Sequence, residues 1–152
     1  MRFELVNRTT PIYVPSYKTD FIFLRLTKPV FVSRNSTTEI IFSVPIEIGL
    51  FFTGSEMREY FDVFTCEPSR SKYALYGQSD KGKLCKFAMV VPNAGKVTAR
   101  SYLEGKLCIK IQNELDTGIS IGKIVFPILD HNICYHKADA VYDDLNLIVK
   151  ER

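Results

Sequence analysis

The chain has 152 residues, of which 46% are hydrophobic and 24% are charged, and its formal net charge is +3. These values are typical of a globular protein and exclude a disordered one, so we expect residues 1–152 to form a single domain. The apolar runs are far shorter than the about 18 residues of a membrane span, and no basic-then-apolar signal segment opens the chain. The composition therefore predicts a soluble, cytoplasmic protein with no membrane span.

Short segments rich in β-branched and aromatic residues follow one another along the chain. Residues 38–44 and 106–112 alternate apolar and polar residues, which is typical of strands with one solvent-facing side. Pro45 ends the first of these strands because it has no N–H for the ladder. Residues 55–64 also show helical spacing, but we favour a strand at 60–65. Further strands are predicted at about 21–26, 46–52, 72–76, 84–91, 119–126 and 139–149.

This pattern predicts an all-β fold, because turn residues separate strands that begin about 8–12 residues apart and few segments have helical spacing. We expect an antiparallel β-sandwich of about nine or ten strands, with an immunoglobulin-like or a jelly-roll topology as the two options.

Two short motifs near residue 118 match catalytic patterns. The segment LDTGIS, residues 115–120, contains the Asp-Thr-Gly triplet of aspartic proteases, in which two carboxylates share one proton. A single copy requires a homodimer, whereas Asp116 and Gly118 are also ordinary turn residues, and we favour the turn. The overlapping GISIG, residues 118–122, matches a nucleophile elbow but leads into a predicted strand instead of the helix that this motif needs.

Cysteines and histidines give weak signals for metal binding and reactivity. His131, Cys134 and His136 lie close together in sequence, but their spacing matches no established zinc pattern, so we assign no metal site. The four cysteines are far apart, and we predict no disulfide. Cys85 is expected to be a core thiol. Cys108 shares its face with lysines, which lower a thiol's pKa, so it is the candidate reactive cysteine. We favour the other reading, in which another part of the fold covers this face, because free cysteine is among the most buried residue types.

The excess positive charge of the chain is concentrated at a predicted β-hairpin. Residues 66–87 contain five cations against Glu67 and Asp80, so their net charge of +3 equals that of the whole chain. A basic hairpin with interleaved aromatic rings can contact phosphates and stack bases, whereas lysines on an edge strand can equally prevent aggregation. The candidate ligand-binding residues are Arg70, Lys72, Tyr73, Tyr76, Lys81, Lys83 and Lys86.

Four segments also resemble a known family when taken in order. They are PIEIGLFF (45–52), DVF (62–64), KYALYG (72–77) and KLCKF (83–87). Together they resemble the archaeal domain of unknown function four-three-two, over about residues 20–149 of this chain. The resemblance implies an archaeal, cytoplasmic protein, and it implies no activity and no functional residues.

The leading functional hypothesis is a non-enzymatic β-sandwich protein, without a cofactor, that acts through protein–protein contacts with a partner protein or as a homo-oligomer. The alternative is a binder of nucleic acid or another anionic ligand through the hairpin 66–87. A third reading is a homodimeric aspartic protease that uses Asp116.

Overall fold

The computed structural model describes residues 19, 21–51, 60–65, 73–93, 104–127, 133–136 and 139–151. These ranges contain eleven strands and no helix, so the all-β prediction is confirmed, and no helix among them is long and apolar enough to cross a membrane. The strands are β1 (Phe21–Val32), β2 (Ser36–Pro45), β3 (Glu47–Phe51), β4 (Tyr60–Thr65), β5 (Tyr73–Tyr76), β6 (Lys83–Val90), β7 (Glu104–Asn113), β8 (Ile119–Pro127), β9 (Ile133–His136), β10 (Asp139–Tyr142) and β11 (Leu145–Val149).

Three strands differ from the sequence prediction. The first strand continues to Val32, because the register between β1 and β8 shifts between Arg25 and Val30 and this irregularity accommodates Pro29. The predicted strand at 139–149 divides into β10 and β11, and β9 was not predicted. The described strands therefore number eleven, rather than nine or ten.

The strands form two large sheets and a small one. Sheet I has the order β5-β6-β1-β8. Sheet II is centred on β7, with β2 along one edge and with β11 and β10 along the other, and β9 pairs with β10. Sheet III is the antiparallel pair β3 and β4.

Both large sheets are mixed, which differs from the expected antiparallel arrangement. In sheet I, β1 is parallel to β6 and antiparallel to β8. In sheet II, β7 is antiparallel to β2 but parallel to β10 and β11. The sequence pattern could not reveal this, because alternation of apolar residues identifies the buried face of a strand but not the direction of its neighbours.

The core lies between the apolar faces of sheets I and II, and this packing of sheet on sheet is that of a sandwich. Leu107, Ile109 and Ile111 of β7 are fully buried, as their alternation predicted. On sheet I, Leu24 and Ile124 lie opposite each other in register and belong to the same buried cluster. Each of these side chains contributes about 1.5–3 kcal/mol when it is removed from water.

A glycine allows an aromatic ring to pack tightly within sheet II. Gly105 of β7 pairs with Ala140 of β10. A Cβ atom at Gly105 would lie 2.6 Å from Cε2 of Tyr142, so only glycine leaves room for that ring. The Tyr142 hydroxyl donates a hydrogen bond to the Pro45 carbonyl at 3.1 Å, which ties β10 to the end of β2.

The residues that β6 turns toward the core differ in part from those that its sequence predicts. Cys85 is fully buried, as predicted, but Met89 and Val91, which share its strand parity, are 51% and 57% exposed. Val90 is 1% exposed instead, because the pairing of β6 with β1 places it beside Leu26 on the core side. Hydrophobicity alone assigned the wrong face, since both sets of alternate residues in this strand contain apolar side chains.

Candidate interaction surface

The hairpin predicted around residue 80 is present. β5 and β6 are antiparallel, with Tyr73 opposite Lys86 and Tyr76 opposite Lys83. The connecting turn closes when the Gly82 N–H donates a hydrogen bond of 2.6 Å to the Gln78 carbonyl. Gly77 has a φ of 105°, a conformation that L side chains rarely adopt, which explains a glycine at the start of this turn.

The three predicted ligand-binding cations of this hairpin that the structure describes do not lie on one face. Arg70 and Lys72 lie outside the described residues. Lys81 is exposed in the turn, and Lys83 places its Nζ 4.1 Å from the centre of the Phe21 ring on the face of sheet I that is turned away from the core. Lys86 is 8% exposed and lies opposite Ile22 on the core side. Lys83 and Lys86 therefore point to opposite faces of the sheet.

The aromatic residues of the hairpin contact other rings. Tyr76 packs edge-to-face against Phe23, with 5.3 Å between the ring centroids, and Phe87 packs on the same ring at 5.4 Å. Tyr73 is half-buried. Of the two predicted stacking residues, Tyr76 is thus the more exposed, at 43%, although one side of its ring is already occupied.

Exposed apolar side chains accompany the hairpin. Leu75 and Leu84 lie directly opposite each other in the ladder and are 46% and 47% exposed. We call these two residues the leucine pair. Among the described residues, the large apolar side chains that are exposed are Phe31, Leu75, Tyr76, Leu84, Met89, Val91 and Ile148. All but Ile148 belong to sheet I or directly follow one of its strands.

Sheet I also carries a cationic site that the sequence analysis missed. Arg25 of β1 lies directly opposite Lys123 of β8, and on its other side it lies opposite Met89 of β6. All three side chains are exposed. The two cations are 98 positions apart in the sequence, so only the register of β1 and β8 brings them together, and no local motif could have revealed them.

Asp116 lies in the connection between β7 and β8, as the turn interpretation predicted. Its Oδ1 accepts a hydrogen bond of 3.3 Å from the amide of Asn35, which belongs to the connection between β1 and β2. The residues after Gly118 form strand β8, so GISIG lacks the helix of a nucleophile elbow.

The side chain of Asn113 links the β1–β2 connection to the β7–β8 connection by hydrogen bonds. Its side chain is 1% exposed, and its amide group donates hydrogen bonds to the carbonyls of Ser33 at 3.0 Å and Thr117 at 2.9 Å. Its Oδ1 accepts the N–H of Leu115 at 3.1 Å. Beside it lies an open polar depression of about 160 Å³, lined by Asn35, Ser36, Thr37, Gln112, Asn113 and Glu114.

The structure favours the covered reading of Cys108 over a reactive thiol. Burial, together with the negative charges of Glu39 and Asp144, raises the pKa of Cys108 to about 11, so the thiol is protonated at neutral pH. The lysines on its own strand were the misleading signal, because the charges that shift this pKa, those of Glu39 and Asp144, come from outside β7. Burial also raises the pKa of Cys85, although the positive charge of Lys83 opposes this effect.

Of the three residues considered as metal ligands, the structure describes Cys134 and His136. Cys134 and His136 belong to β9, where they pair with Val141 and Asp139 of β10, and His131 lies outside the described residues. Within the described ranges, no group of three His, Cys, Asp or Glu side chains is placed to hold a metal ion. Cys85 and Cys108 are free thiols.

These features define an all-β protein of two packed mixed sheets, with most of the exposed large apolar side chains of the described residues on or beside one of them. The chain belongs to the family of proteins of unknown function DUF432, whose profile matches residues 4–152. The resemblance noted in the sequence is therefore confirmed for the family. Neither the curated proteins nor the solved structures contain a match to the chain.

Proposed function

We propose that this protein is a non-enzymatic binding module that acts through protein–protein contacts. The observation that carries the proposal is the leucine pair, Leu75 and Leu84, which lies side by side and about half-exposed on the β5–β6 hairpin. Clustered exposed apolar side chains on a globular protein commonly mark interaction sites, whereas single ones need no explanation.

The partner is a different protein that places apolar side chains on the leucine pair and acidic side chains near its edge. Lys81 is exposed in the turn of the same hairpin, whereas Lys83 points to the opposite face from its neighbour Leu84. Two copies of this chain that met through the leucine pair would bring their Lys81 side chains toward each other, and that repulsion disfavours a homodimer. An acidic side chain on the partner would instead complement Lys81.

The test compares the wild-type protein with the double variant Leu75→Ser/Leu84→Ser, and Ile148→Ser serves as the matched control. Ile148 is 59% exposed but lies on sheet II. We expect wild type and control to retain one stoichiometric partner from an extract of the source organism. Once purified, that partner should bind the double variant at least about tenfold more weakly, because buried apolar anchors dominate such interfaces.

Two results would contradict the proposal. One is a partner that binds the double variant and the wild type equally well. The other is reversible self-association of the purified chain, measured by sedimentation velocity, that the double variant abolishes; this would replace the partner protein with a second copy.

The alternative function, binding of an anionic ligand through the hairpin 66–87, has weaker support because Lys83 and Lys86 point to opposite faces. Fluorescence anisotropy with a labelled single-stranded oligonucleotide tests it. Saturable binding that falls with salt and is lost in Lys81→Ala/Lys83→Ala/Lys86→Ala would favour this alternative. A peptidase activity that pepstatin inhibits and Asp116→Asn abolishes would favour the protease instead.

The archaeal origin and the cytoplasmic location are part of the same proposal. They rest on the family resemblance and on the composition of the chain. Immunodetection in fractionated cells of the source organism tests the location.

A further inference from the structure

We propose that Arg25 and Lys123 form a binding site for a doubly charged phosphate group, either as free phosphate or as a phosphomonoester. The site lies on the face of sheet I that is turned away from the core, and it is independent of the leucine pair. It carries the inference because two exposed cations occupy directly opposite positions on neighbouring strands.

The pairing of these two cations is unfavourable for the protein alone. Side chains directly opposite each other in an antiparallel ladder have Cβ atoms about 4.5–5.5 Å apart, and like charges at this distance destabilise the pair. No nearby carboxylate in the sheet offsets the repulsion, because β1, β5, β6 and β8 contain five Lys and Arg residues and no Asp or Glu. The Arg25–Lys123 pair is therefore pre-arranged for an anion.

The chemistry of the pair favours phosphate over a single carboxylate. A phosphomonoester carries about −1.5 to −2 charges at neutral pH, which matches two cations, and it has three acceptor oxygens. The guanidinium of Arg25 can bind two of these oxygens at once, and the ammonium of Lys123 supplies a point charge beside it. A phosphodiester, as in a nucleic-acid backbone, carries one negative charge and neutralises only one of the two cations.

Met89 extends the site toward an organic substituent. It lies opposite Arg25 on the side away from Lys123, and its side chain is 51% exposed. A methionine thioether is adaptable and contacts aromatic rings favourably. We therefore expect a phosphomonoester with an apolar or aromatic substituent to bind more tightly than inorganic phosphate.

The experiment is a titration followed by ¹H–¹⁵N spectra, with inorganic phosphate and phenyl phosphate as probes at constant ionic strength. We expect saturable shifts confined to β1, β6 and β8, with phenyl phosphate binding more tightly than phosphate. Arg25→Gln and Lys123→Gln should each raise the Kd at least about tenfold, because each removes half of the neutralising charge. If phosphate binds as tightly as phenyl phosphate, the free ion is the ligand and the role of Met89 is wrong.

Lys110→Gln is the matched control, because Lys110 is also an exposed strand lysine but lies opposite a carboxylate, Glu39, on sheet II. It should bind both probes like the wild type. The charge reversal Lys123→Glu separates loss of the site from loss of the fold. This variant should lose binding yet unfold at a higher temperature than the wild type, since it replaces repulsion across the strands with attraction.

Three results would overturn the proposal. The first is no saturable binding of either probe to the wild type. The second is equal binding to the wild type and to both Gln variants. The third is tighter binding of a single-stranded oligonucleotide without a terminal phosphate than of phenyl phosphate, with the same loss in both variants, which would identify a nucleic-acid backbone as the ligand.

Discussion

The two large sheets bury similar apolar faces, but their charges follow opposite rules. In sheet II, Glu39 lies directly opposite Lys110, so a cross-strand pair combines opposite charges. In sheet I, the corresponding kind of pair, Arg25 and Lys123, combines like charges. Stability alone favours the first arrangement and disfavours the second. The difference indicates that the outer face of sheet I is arranged for something other than stability of the isolated chain.

The same contrast extends to the thiols and to the exposed apolar residues. The charges near Cys108 of sheet II raise its pKa, whereas Lys83 of sheet I acts to lower that of Cys85. Phe31 of sheet I is 66% exposed, whereas Phe42 of sheet II is fully buried. Both sheets contribute to the core, but most of the large apolar side chains that are exposed among the described residues belong to sheet I or directly follow one of its strands.

The two phenylalanines provide the largest expected difference between the sheets. Phe42→Ala should reduce the free energy of unfolding by about 3–5 kcal/mol, because it leaves a cavity among fully buried side chains. The same change at the exposed Phe31 should alter it by no more than about 0.5 kcal/mol. Urea unfolding of both variants measures the contrast, and similar losses would show that Phe31 is also part of the packed structure.

The second prediction concerns the electrostatics of Cys108. With a pKa of about 11 instead of 9.0, its thiolate fraction at pH 8 should be about one-hundredth of that in the unfolded chain, and its alkylation by iodoacetamide correspondingly slow. Glu39→Gln should lower this pKa and accelerate the reaction. Peptide mass spectrometry measures labelling at each cysteine, and Cys85 should not respond to this variant.

The sign of the pH dependence of stability follows from the raised pKa. The folded state favours the protonated thiol of Cys108. Its contribution to the free energy of unfolding is therefore complete below the unfolded pKa near 9, and it disappears as the pH rises through the folded pKa of about 11. Fast labelling of Cys108 at pH 8, unaffected by Glu39→Gln, would contradict the assignment of acidic neighbours to sheet II.

The smallest expected effect compares one glycine from each sheet. Gly105→Ala should cost about 1–3 kcal/mol, because the new methyl group would lie 2.6 Å from the Tyr142 ring and the buried ring has little room to move. Gly122→Ala should change stability by no more than about 0.5 kcal/mol, since the nearest atom to its Cβ is Pro29 Cγ at 3.8 Å. Thermal unfolding distinguishes them, and equal Tm values would mean that Tyr142 adjusts freely.

The sequence was sufficient to predict the all-β class and the buried faces of β2 and β7, because apolar residues recur at alternate positions, at Ile40 and Phe42 in β2 and at Leu107 and Ile109 in β7. It failed at β6, where apolar residues occupy both faces. It also could not reveal the parallel neighbours of β1 and β7, since no periodicity encodes strand direction.

At the candidate site, features formed by residues close in sequence were predictable, whereas features formed by residues far apart in sequence were not. The hairpin and its turn were predictable, because Gly77 and Gly82 separate two β-rich segments. Of the described cations there, Lys83 and Lys86 point to opposite faces, because strand residues an odd number of positions apart alternate between the two faces. Arg25 and Lys123 meet only through long-range pairing, so their relation emerged only with the fold.

The position of β1 in the middle of sheet I has a consequence for the order of folding. Ile22 pairs with Lys86 and with Phe126, both far along the chain. At a synthesis rate of about 5–20 residues per second, β1 leaves the ribosome several seconds before either partner strand is complete. The β5–β6 hairpin closes locally and can receive β1 first, whereas the second edge of β1 stays unpaired until β8 arrives. Such distant pairings slow folding, and a nascent chain stalled before residue 119 would expose this apolar strand to other chains.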